Sequence, residues 1–203
     1  MKKTLKALGI VLVIGFGLAV TFLMPGVKMI GPSDPIILTQ EEEKQQNAEQ
    51  VNLYQDVDLA GFNTVDVNGN QVTSDIFKDS EITMINLWFT GCSPCIAEMP
   101  EIASLYNTRP EGSNIISICC DTFEDRDSTE FAKEVMDDAE AKFATLVPDV
   151  RIQEALTDRT NIFPTTIFVD SEGKLVGDVY LGGRTQDDYR QAILDRLVMV
   201  EAQ

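Results

Sequence analysis

The middle and the end of the chain contain three short apolar runs with little polar interruption. They are residues 82–89, 114–120 and 162–170. Runs of this kind are typical of strands that are covered on both faces of a sheet. Before them, residues 62–77 alternate more loosely, and Asn68 and Gly69 lie there between apolar flanks. This pair predicts a β-hairpin whose two-residue turn needs positive φ.

Segments with helical spacing separate and follow these runs. The predicted helices are residues 92–107, about 128–140, 151–156 and about 185–200. The remaining elements are a short strand at 144–147, a turn at 171–173 and an antiparallel strand at 174–180. In the last helix Tyr189, Ile193, Leu197 and Val200 share one stripe, which would pack it on the sheet. Strands that alternate with helices before a closing hairpin and helix predict an α/β three-layer domain.

The N-terminus has the pattern of a membrane segment. Three lysines within residues 1–6 precede an uncharged apolar run, residues 7–27, which at about 1.5 Å per residue spans roughly the 30 Å hydrocarbon layer. The run ends without an Ala-x-Ala cleavage site, so an uncleaved anchor is favoured over a secretory signal. A buried core helix is disfavoured because the run is too long and apolar all round. The lysines place residues 1–6 in the cytoplasm and everything after the anchor outside.

Residues 28–52 have the composition of a linker. They are polar, contain two prolines and include the block EEEKQQNAEQ at 41–50. Block charge with few apolar residues predicts a flexible tether, with a helix packed on the domain as the alternative. The folded domain is therefore expected to be residues 53–203.

Charge narrows the range of partners. The net charge is −17, and the first 28 residues hold four lysines and no acid, so the rest of the chain carries −21. Phosphate backbones repel such a domain, which argues against nucleic-acid binding. The acidity fits solubility or the attraction of a basic protein partner.

The candidate chemistry lies in WFTGCSPCIAEMP, residues 88–100, where a predicted strand gives way to a helix. Pro94 suits the first turn of that helix. Cys92 then falls at the helix N-terminus, where the aligned peptide dipoles stabilise a thiolate. Cys95, one turn along, can attack the mixed disulfide that Cys92 forms. Zinc sites and structural disulfides share this spacing, so the spacing alone leaves both alternatives open.

Six positions of this stretch are Trp88, Cys92, Pro94, Cys95, Glu98 and Pro100. In these positions, and in the order of elements from about Leu53 onward, the chain resembles the TlpA/ResA-like branch of the thioredoxin superfamily, with a domain of the AhpC/TSA-redoxin type. The resemblance implies a thioredoxin-like fold in which one transmembrane helix and an N-terminal β-hairpin precede a central mixed sheet flanked by helices. It also implies a Cys92–Cys95 redox disulfide, with Cys92 as the more exposed nucleophile and Cys95 as the resolving thiol.

The resemblance further implies that Pro164 is a cis-proline beside the dithiol. In such folds the backbone next to this proline pairs with the extended chain of the substrate, which assigns Phe163, Pro164 and Thr165 to substrate binding. The alternative is a trans-proline that begins an edge strand. Trp88 is expected to pack near the dithiol and to contact the substrate, or else to be part of the core alone.

Glu98 follows Cys95 by three residues and therefore lies on the same helical face. In the resembled family a glutamate at this place helps to govern the ionisation of the dithiol. A carboxylate there raises a cysteine pKa and can shuttle a proton, whereas the alternative is a solvated helix residue. Asn86 stands where cytoplasmic thioredoxins have a buried aspartate, and its amide can only hydrogen-bond and orient. Gly91 stands where the family usually has tryptophan, which leaves that flank open.

Cys119 and Cys120 are adjacent on a predicted buried strand, so their side chains point to opposite faces. Packing as small hydrophobic residues is the favoured interpretation. A vicinal disulfide or a four-thiolate zinc site conflicts with this geometry. A redox relay by one of the two cysteines remains an alternative.

These residues predict a membrane-anchored, extracytoplasmic thiol-disulfide oxidoreductase that reduces exported proteins. The resemblance implies a membrane thiol transporter of the DsbD or CcdA kind as electron donor, and clients such as apocytochrome c or methionine sulfoxide reductase. The chain has no histidine and only Ser93 and Pro94 between the two cysteines. A strongly oxidising enzyme needs more thiolate stabilisation than this, so a reductant or a moderate exchanger is expected. Neither a cofactor nor a metal is predicted.

Two other functions compete with this prediction. A thiol peroxidase needs a threonine three residues before its cysteine, whereas Thr90 is two residues before Cys92. A copper-delivery module could use two soft thiolates. Relatives of that type add a histidine and a longer cysteine spacing, and both features are missing from this chain.

Overall fold

The computed structural model describes residues 52–202 together with Ala48. The predicted anchor, residues 7–27, and nearly all of the predicted linker, residues 28–52, lie outside the described residues. Among the residues that are described, none of the helices is both long and apolar enough to cross a membrane.

A two-stranded antiparallel hairpin opens the domain, formed by β1 (Asn63–Val65) and β2 (Gln71–Thr73). The predicted hairpin is confirmed, but its predicted two-residue turn is wrong. Val65 pairs with Gln71, so five residues connect the strands. The Asp66 carboxylate, which accepts the N–H groups of Asn68 and Asn70 at 2.9 Å, stabilises this longer turn. Only the glycine of the Asn-Gly pair has positive φ, at 81°.

A five-stranded mixed sheet forms the centre of the domain, in the order β5-β4-β3-β6-β7. Its strands are β3 (Ile82–Trp88), β4 (Ser113–Cys119), β5 (Thr145–Leu146), β6 (Thr165–Asp170) and β7 (Tyr180–Leu181). β3 is parallel to β4 and antiparallel to β6, and all seven of its residues are buried. This burial explains why the run is mostly apolar. The hairpin covers the β5 edge through bonds from Val67 N–H to Thr145 O and from Val147 N–H to Val65 O.

The α-helices whose full extent lies within the described residues are α1 (Ser93–Asn107), α2 (Arg126–Asp138), α3 (Val150–Ala155) and α4 (Gln186–Glu201). Two short 3-10 helices span Ser74–Phe77 and Thr157–Arg159. Met84 and Trp88 of β3 join the apolar core beneath α1, α2 and α4. Ile85 and Leu87 join a second core on the opposite face, beneath α3 and the first described segment. The mixed sheet flanked by helices agrees with the predicted fold class.

The last hairpin is antiparallel, as predicted, because Leu175 and β7 both pair with β6 in that sense. The continuous strand predicted at residues 174–180 is wrong, because isolated bridges at Lys174 and Leu175 precede the two-residue β7. The buried Arg196 side chain of α4 donates to the carbonyl oxygens of Val176 at 3.1 Å and Asp178 at 2.6 Å. These carbonyls therefore pair with a helix side chain instead of a neighbouring strand.

Candidate active site

Cys92 and Cys95 lie at the start of α1 and are joined by a disulfide bond. Cys92 is the N-cap of the helix, and its sulfur accepts the N–H of Cys95 at 3.3 Å. Pro94 occupies the first turn, as its fixed φ and missing N–H favour. Cys92 is 4% exposed and Cys95 0%. In the reduced protein the helix N-terminus would favour a thiolate on Cys92, the thiol nearer to solvent.

The loop between β3 and α1 is fastened to the neighbouring strand by Asp121. The Thr90 N–H donates to both carboxylate oxygens of Asp121 at 3.1 Å, and the Thr90 hydroxyl donates to one of them as well. The Cys119 thiol donates to the same carboxylate at 3.2 Å. Asp121 is not among the site residues predicted above. Its position just after β4 is the signal that the sequence offers, because parallel neighbours end at the same edge of a sheet.

Glu98 is buried at 7% exposure and has specific hydrogen-bond donors. Asn86 Nδ2 donates to its Oε1 at 2.8 Å, and the Tyr189 hydroxyl donates to its Oε2 at 3.2 Å. Burial raises the pKa of Glu98, and the hydrogen bonds from Asn86, Tyr189 and the Arg184 backbone oppose that rise. The alternative of a solvated helix glutamate is wrong. Asn86 orients the carboxylate in the way that a neutral amide can.

Tyr189 is the partner of Glu98 that the sequence analysis missed, because its place in the apolar stripe of α4 marked it only as a core residue. Its hydroxyl also accepts a bond from the Thr166 hydroxyl at 3.3 Å. Asn86 Nδ2 lies at the same distance of 3.3 Å from the Thr166 oxygen. Burial first, and then the nearby Glu98 charge, raises the pKa of Tyr189, so its hydroxyl remains a hydrogen-bond donor.

A surface groove of about 480 Å³ connects this carboxylate to the start of α1. Its lining includes Pro94, Ala97 and Glu98 on one side and Gly183 and Arg184 on the other. Glu98 therefore contacts the buried hydrogen-bond network and also reaches the groove. This placement allows a carboxyl group to exchange a proton between the helix face below Cys95 and solvent.

The Phe163–Pro164 peptide bond is cis, so the trans alternative is wrong. The Phe163 ring packs edge-to-face on Phe89, with 5.0 Å between the ring centroids, and the carbonyl of Phe89 accepts the N–H of Cys92 at 3.0 Å. The cis-proline segment therefore packs against the loop that carries Cys92. Among the described residues, neither the N–H nor the C=O of Phe163 has a hydrogen-bond partner. Thr165 is buried, and its hydroxyl donates to Ile162 O at 2.7 Å.

Trp88 is fully buried in the same core as the two cysteines, and its Nε1–H donates to Ser117 Oγ at 3.3 Å. Its ring offers no surface to a substrate in this structure, so packing is the role that its position supports.

Cys119 and Cys120 face opposite cores, as their adjacency on a strand requires. Both are free, and burial together with the Asp121 charge raises the pKa of each thiol. They therefore remain protonated and poorly nucleophilic at neutral pH. Across the described part of the chain, no cluster of three or more histidine, cysteine, aspartate or glutamate residues is arranged to hold a metal ion.

Comparisons with known proteins agree with this geometry. The family model described as Redoxin matches residues 54–193. Thiol-disulfide oxidoreductase ResA of Bacillus cereus is 28% identical over 128 residues, which cover 62% of this chain and 69% of the relative.

Two solved structures share the fold. One is a thioredoxin-family thiol:disulfide interchange protein from Chlorobium tepidum, with a TM-score of 0.58 and 20% identity, covering 70% of this chain and 96% of that one. The other is a DsbF homologue from Corynebacterium diphtheriae, with a TM-score of 0.55 and 19% identity, covering 68% and 85%. At these identities the likeness shows a thioredoxin-like fold.

Proposed function

Because the chain belongs to the Redoxin family and is a TlpA/ResA-like thiol-disulfide oxidoreductase of thioredoxin type, we propose that it is anchored in the membrane and reduces disulfides in exported proteins. The observation that carries the proposal is the position of Cys92. It caps α1, is disulfide-bonded to Cys95, and belongs to a loop in which the Phe89 ring packs on the Phe163 ring. Among the described residues the backbone N–H and C=O of Phe163 have no hydrogen-bond partner.

The reaction consists of two exchange steps. The Cys92 thiolate of the reduced protein attacks one sulfur of the client disulfide, and the other client sulfur leaves as a thiolate that takes up a proton. Cys95 then loses its proton and attacks Cys92, which releases the second client thiol and forms the Cys92–Cys95 disulfide. The client gains two electrons and two protons, and the protein returns to the oxidised state found in this structure.

The surrounding residues support these steps. Glu98, on the helix face of Cys95, is the group placed to accept the proton that Cys95 loses and to pass it to the groove. The N–H and C=O of Phe163, which have no partner among the described residues, suit an extended client chain, which would pair with them as a strand does. Phe163, Pro164 and Thr165 are the residues that we assign to client binding.

Residues 7–27 would hold the domain at the outer face of the membrane, with residues 1–6 in the cytoplasm and residues 28–52 as a tether. A membrane thiol transporter of the DsbD or CcdA kind would return two electrons to the Cys92–Cys95 disulfide. The clients would be exported proteins with cysteines, such as apocytochrome c or methionine sulfoxide reductase. Between the cysteines lie only Ser93 and Pro94, without a cation, which supports a reductant or a moderate exchanger.

A trapping experiment tests the proposal. The Cys95→Ser variant stops after the first step, so clients should accumulate on Cys92 as mixed disulfides that a reductant releases. The matched control is Cys92→Ser, which lacks the attacking sulfur and should trap nothing. Equal amounts of trapped protein in the two variants, or alkylation of reduced Cys92 no faster than that of an ordinary exposed thiol, would refute the mechanism.

A further inference from the structure

An apolar groove of about 280 Å³ lies between α1 and α2, near the dithiol. Ile96 and Pro100 line it from α1, Phe131 and Val135 line it from α2, and Ala139 lines it from the C-cap of α2. Ile96 directly follows Cys95 and lies one helical turn beyond Cys92. Phe131 is 43% exposed, although it is the largest apolar side chain of α2. Within the described part of the chain, the groove thus presents uncovered apolar surface next to the start of the active-site helix.

The volume of the groove limits the size of the side chain that it can hold. A buried cavity of about 150 Å³ is large enough for a benzene molecule. At 280 Å³ this open groove therefore suits one leucine-sized or aromatic side chain and leaves room for the backbone that carries it.

The rim of the groove is acidic. Glu134 and Asp138 line it, and Asp127 lies on the same face of α2, because its positions 127, 131, 134 and 138 follow helical spacing. The two basic residues of the helix do not neutralise this face. Arg126 pairs with Glu130 at 3.1 Å, and Lys133 lies about half a turn away from Phe131.

The negative charge of the rim also distinguishes between the possible occupants of the groove. A second copy of the chain carries a net charge of −17 and would be repelled. The chain's own segment at 41–50 has four glutamates and one lysine, so the acidic rim would repel it too. A polypeptide with basic residues around an apolar side chain is attracted, and charge of this kind mainly raises the rate of encounter and fixes the register of docking.

We propose that this groove docks a segment of the client in which one large apolar side chain is flanked by lysine or arginine. The inference rests on the proposed reductase function, because the client is the partner that must come to Cys92. The apolar side chain would lie on Ile96 and Phe131, and the flanking cations would lie beside Glu134 and Asp138.

Binding is tested first, without any exchange chemistry. The oxidised full chain in phosphatidylcholine nanodiscs is titrated with a fluorescent, cysteine-free peptide in which two lysines flank one leucine on each side. Controls are the same peptide with glutamates in place of the lysines, and the lysine peptide with glycine in place of leucine. We expect the lysine-leucine peptide to bind about tenfold tighter than either control, with an advantage over the glutamate peptide that shrinks as salt is added.

Variants then locate the binding. Glu134→Lys with Asp138→Lys should weaken binding of the lysine-leucine peptide about fivefold, and Phe131→Ser about threefold. The matched control, Asp79→Lys with Glu154→Lys, makes the same change in net charge at exposed positions on neither α1 nor α2 and should change the affinity less than about twofold. An equal loss in the control variant, or equal affinity for the leucine and glycine peptides, would overturn the docking surface.

The link to the client is tested with the reduced protein. A disulfide-bearing peptide that contains the lysine-leucine segment should be reduced with a higher kcat/KM than its glutamate counterpart, and the groove variant should lose that advantage. A peptide that binds but gains no kcat/KM would overturn the assignment to the client. Bis(2-hydroxyethyl) disulfide, small and uncharged, should be reduced equally by the wild type and the groove variant. Failure of the wild type to reduce it would sink the proposed function, whatever the peptides bind.

Discussion

Gly183 lies against the carboxylate of Glu98 so closely that a β-carbon added to it would come within 2.9 Å of Glu98 Oε2. The end of a long surface side chain would simply move away from such a contact. Glu98 cannot do so freely, because Asn86 and Tyr189 hold its two oxygens and the carboxylate is buried. Because Gly183 has no side chain, the carboxyl group of Glu98 has room to reach the groove.

The first prediction is that Gly183→Ala displaces Glu98 and alters the pH dependence of disulfide exchange. The added methyl group should disturb the bond from Tyr189 and narrow the path from the carboxyl group to the groove. The variant is combined with Glu98→Ala, which removes the atom that the methyl group would meet. A double-mutant cycle for exchange should then give a coupling of about 0.5–3 kcal/mol. Additive effects would show that Gly183 does not act through Glu98.

The second prediction concerns stability and pH in Glu98→Gln. Burial raises the pKa of Glu98 above its ordinary value of 4.5. As the pH rises through 4.5, the unfolded chain loses this proton while the folded protein keeps it, so the native state loses stability until its own pKa is passed. The glutamine side chain of the variant carries no such proton. The variant should therefore gain stability relative to the wild type as the pH rises from acid to neutral.

Urea denaturation at a series of pH values measures this gain, and exposed Glu101→Gln on the same helix serves as the reference. A difference between Glu98→Gln and the wild type that stays constant with pH would contradict a buried proton on Glu98. The same variant should also alter the pH profile of exchange, because the group placed to accept a proton from Cys95 is gone.

The positions of the two cysteines could be predicted from sequence because the signals are local. A strand, a proline in the first helical turn and two thiols one turn apart, all within a dozen residues, place Cys92 at the start of α1. Glu98 follows from the same helical spacing. Its partner Tyr189 lies 91 residues away, and its place in the stripe of α4 is equally typical of packing. Only the folded chain shows that the hydroxyl faces a carboxylate.

Side-chain hydrogen bonds also account for the features of the fold that were predicted wrongly. The Asn-Gly pair at residues 68 and 69 gave a correct hairpin with a wrong turn, because the Asp66 side chain replaces the expected backbone geometry. The strand predicted at 174–180 is interrupted because the carbonyls of Val176 and Asp178 accept hydrogen bonds from Arg196, a side chain of α4 in the neighbouring layer. Side chains that hydrogen-bond to backbone groups, whether nearby like Asp66 or distant like Arg196, leave little trace in hydrophobic periodicity.

The third prediction is that Asp121→Asn loosens the loop before Cys92. In the wild type the N–H and the hydroxyl of Thr90 both donate to the Asp121 carboxylate. In the variant an NH₂ group replaces one carboxylate oxygen and cannot accept, so at least one hydrogen bond is lost, at a cost of about 1–3 kcal/mol in the free energy of unfolding. Amide hydrogen exchange at residues 90–92 should become faster, and disulfide exchange should become slower. Glu124→Gln, which makes the same change of charge on an exposed side chain, is the control. Unchanged protection at Thr90 would show that the carboxylate does not hold the loop.

The fourth prediction is that Arg196→Lys destabilises the closing hairpin more than a surface arginine substitution does. The Arg196 guanidinium donates to three carbonyls, those of Val176, Asp178 and Ala192, and lies 3.9 Å from the centre of the Phe168 ring. A lysine ammonium is a point charge and lacks the planar fork that reaches three acceptors at once, so buried carbonyls lose their donor. We expect a loss of about 2–4 kcal/mol in the free energy of unfolding.

Arg126→Lys is the matched control, because Arg126 is exposed and its ion pair with Glu130 is worth about 0–1 kcal/mol. Urea denaturation compares the two variants, and amide exchange at residues 176–181 shows where stability is lost. If amide protection falls more at the hairpin than at α4, the effect arises at the Val176 and Asp178 carbonyls. Equal unfolding midpoints for Arg196→Lys and Arg126→Lys would mean that a single cation is sufficient there, and that the interrupted strand does not depend on the guanidinium.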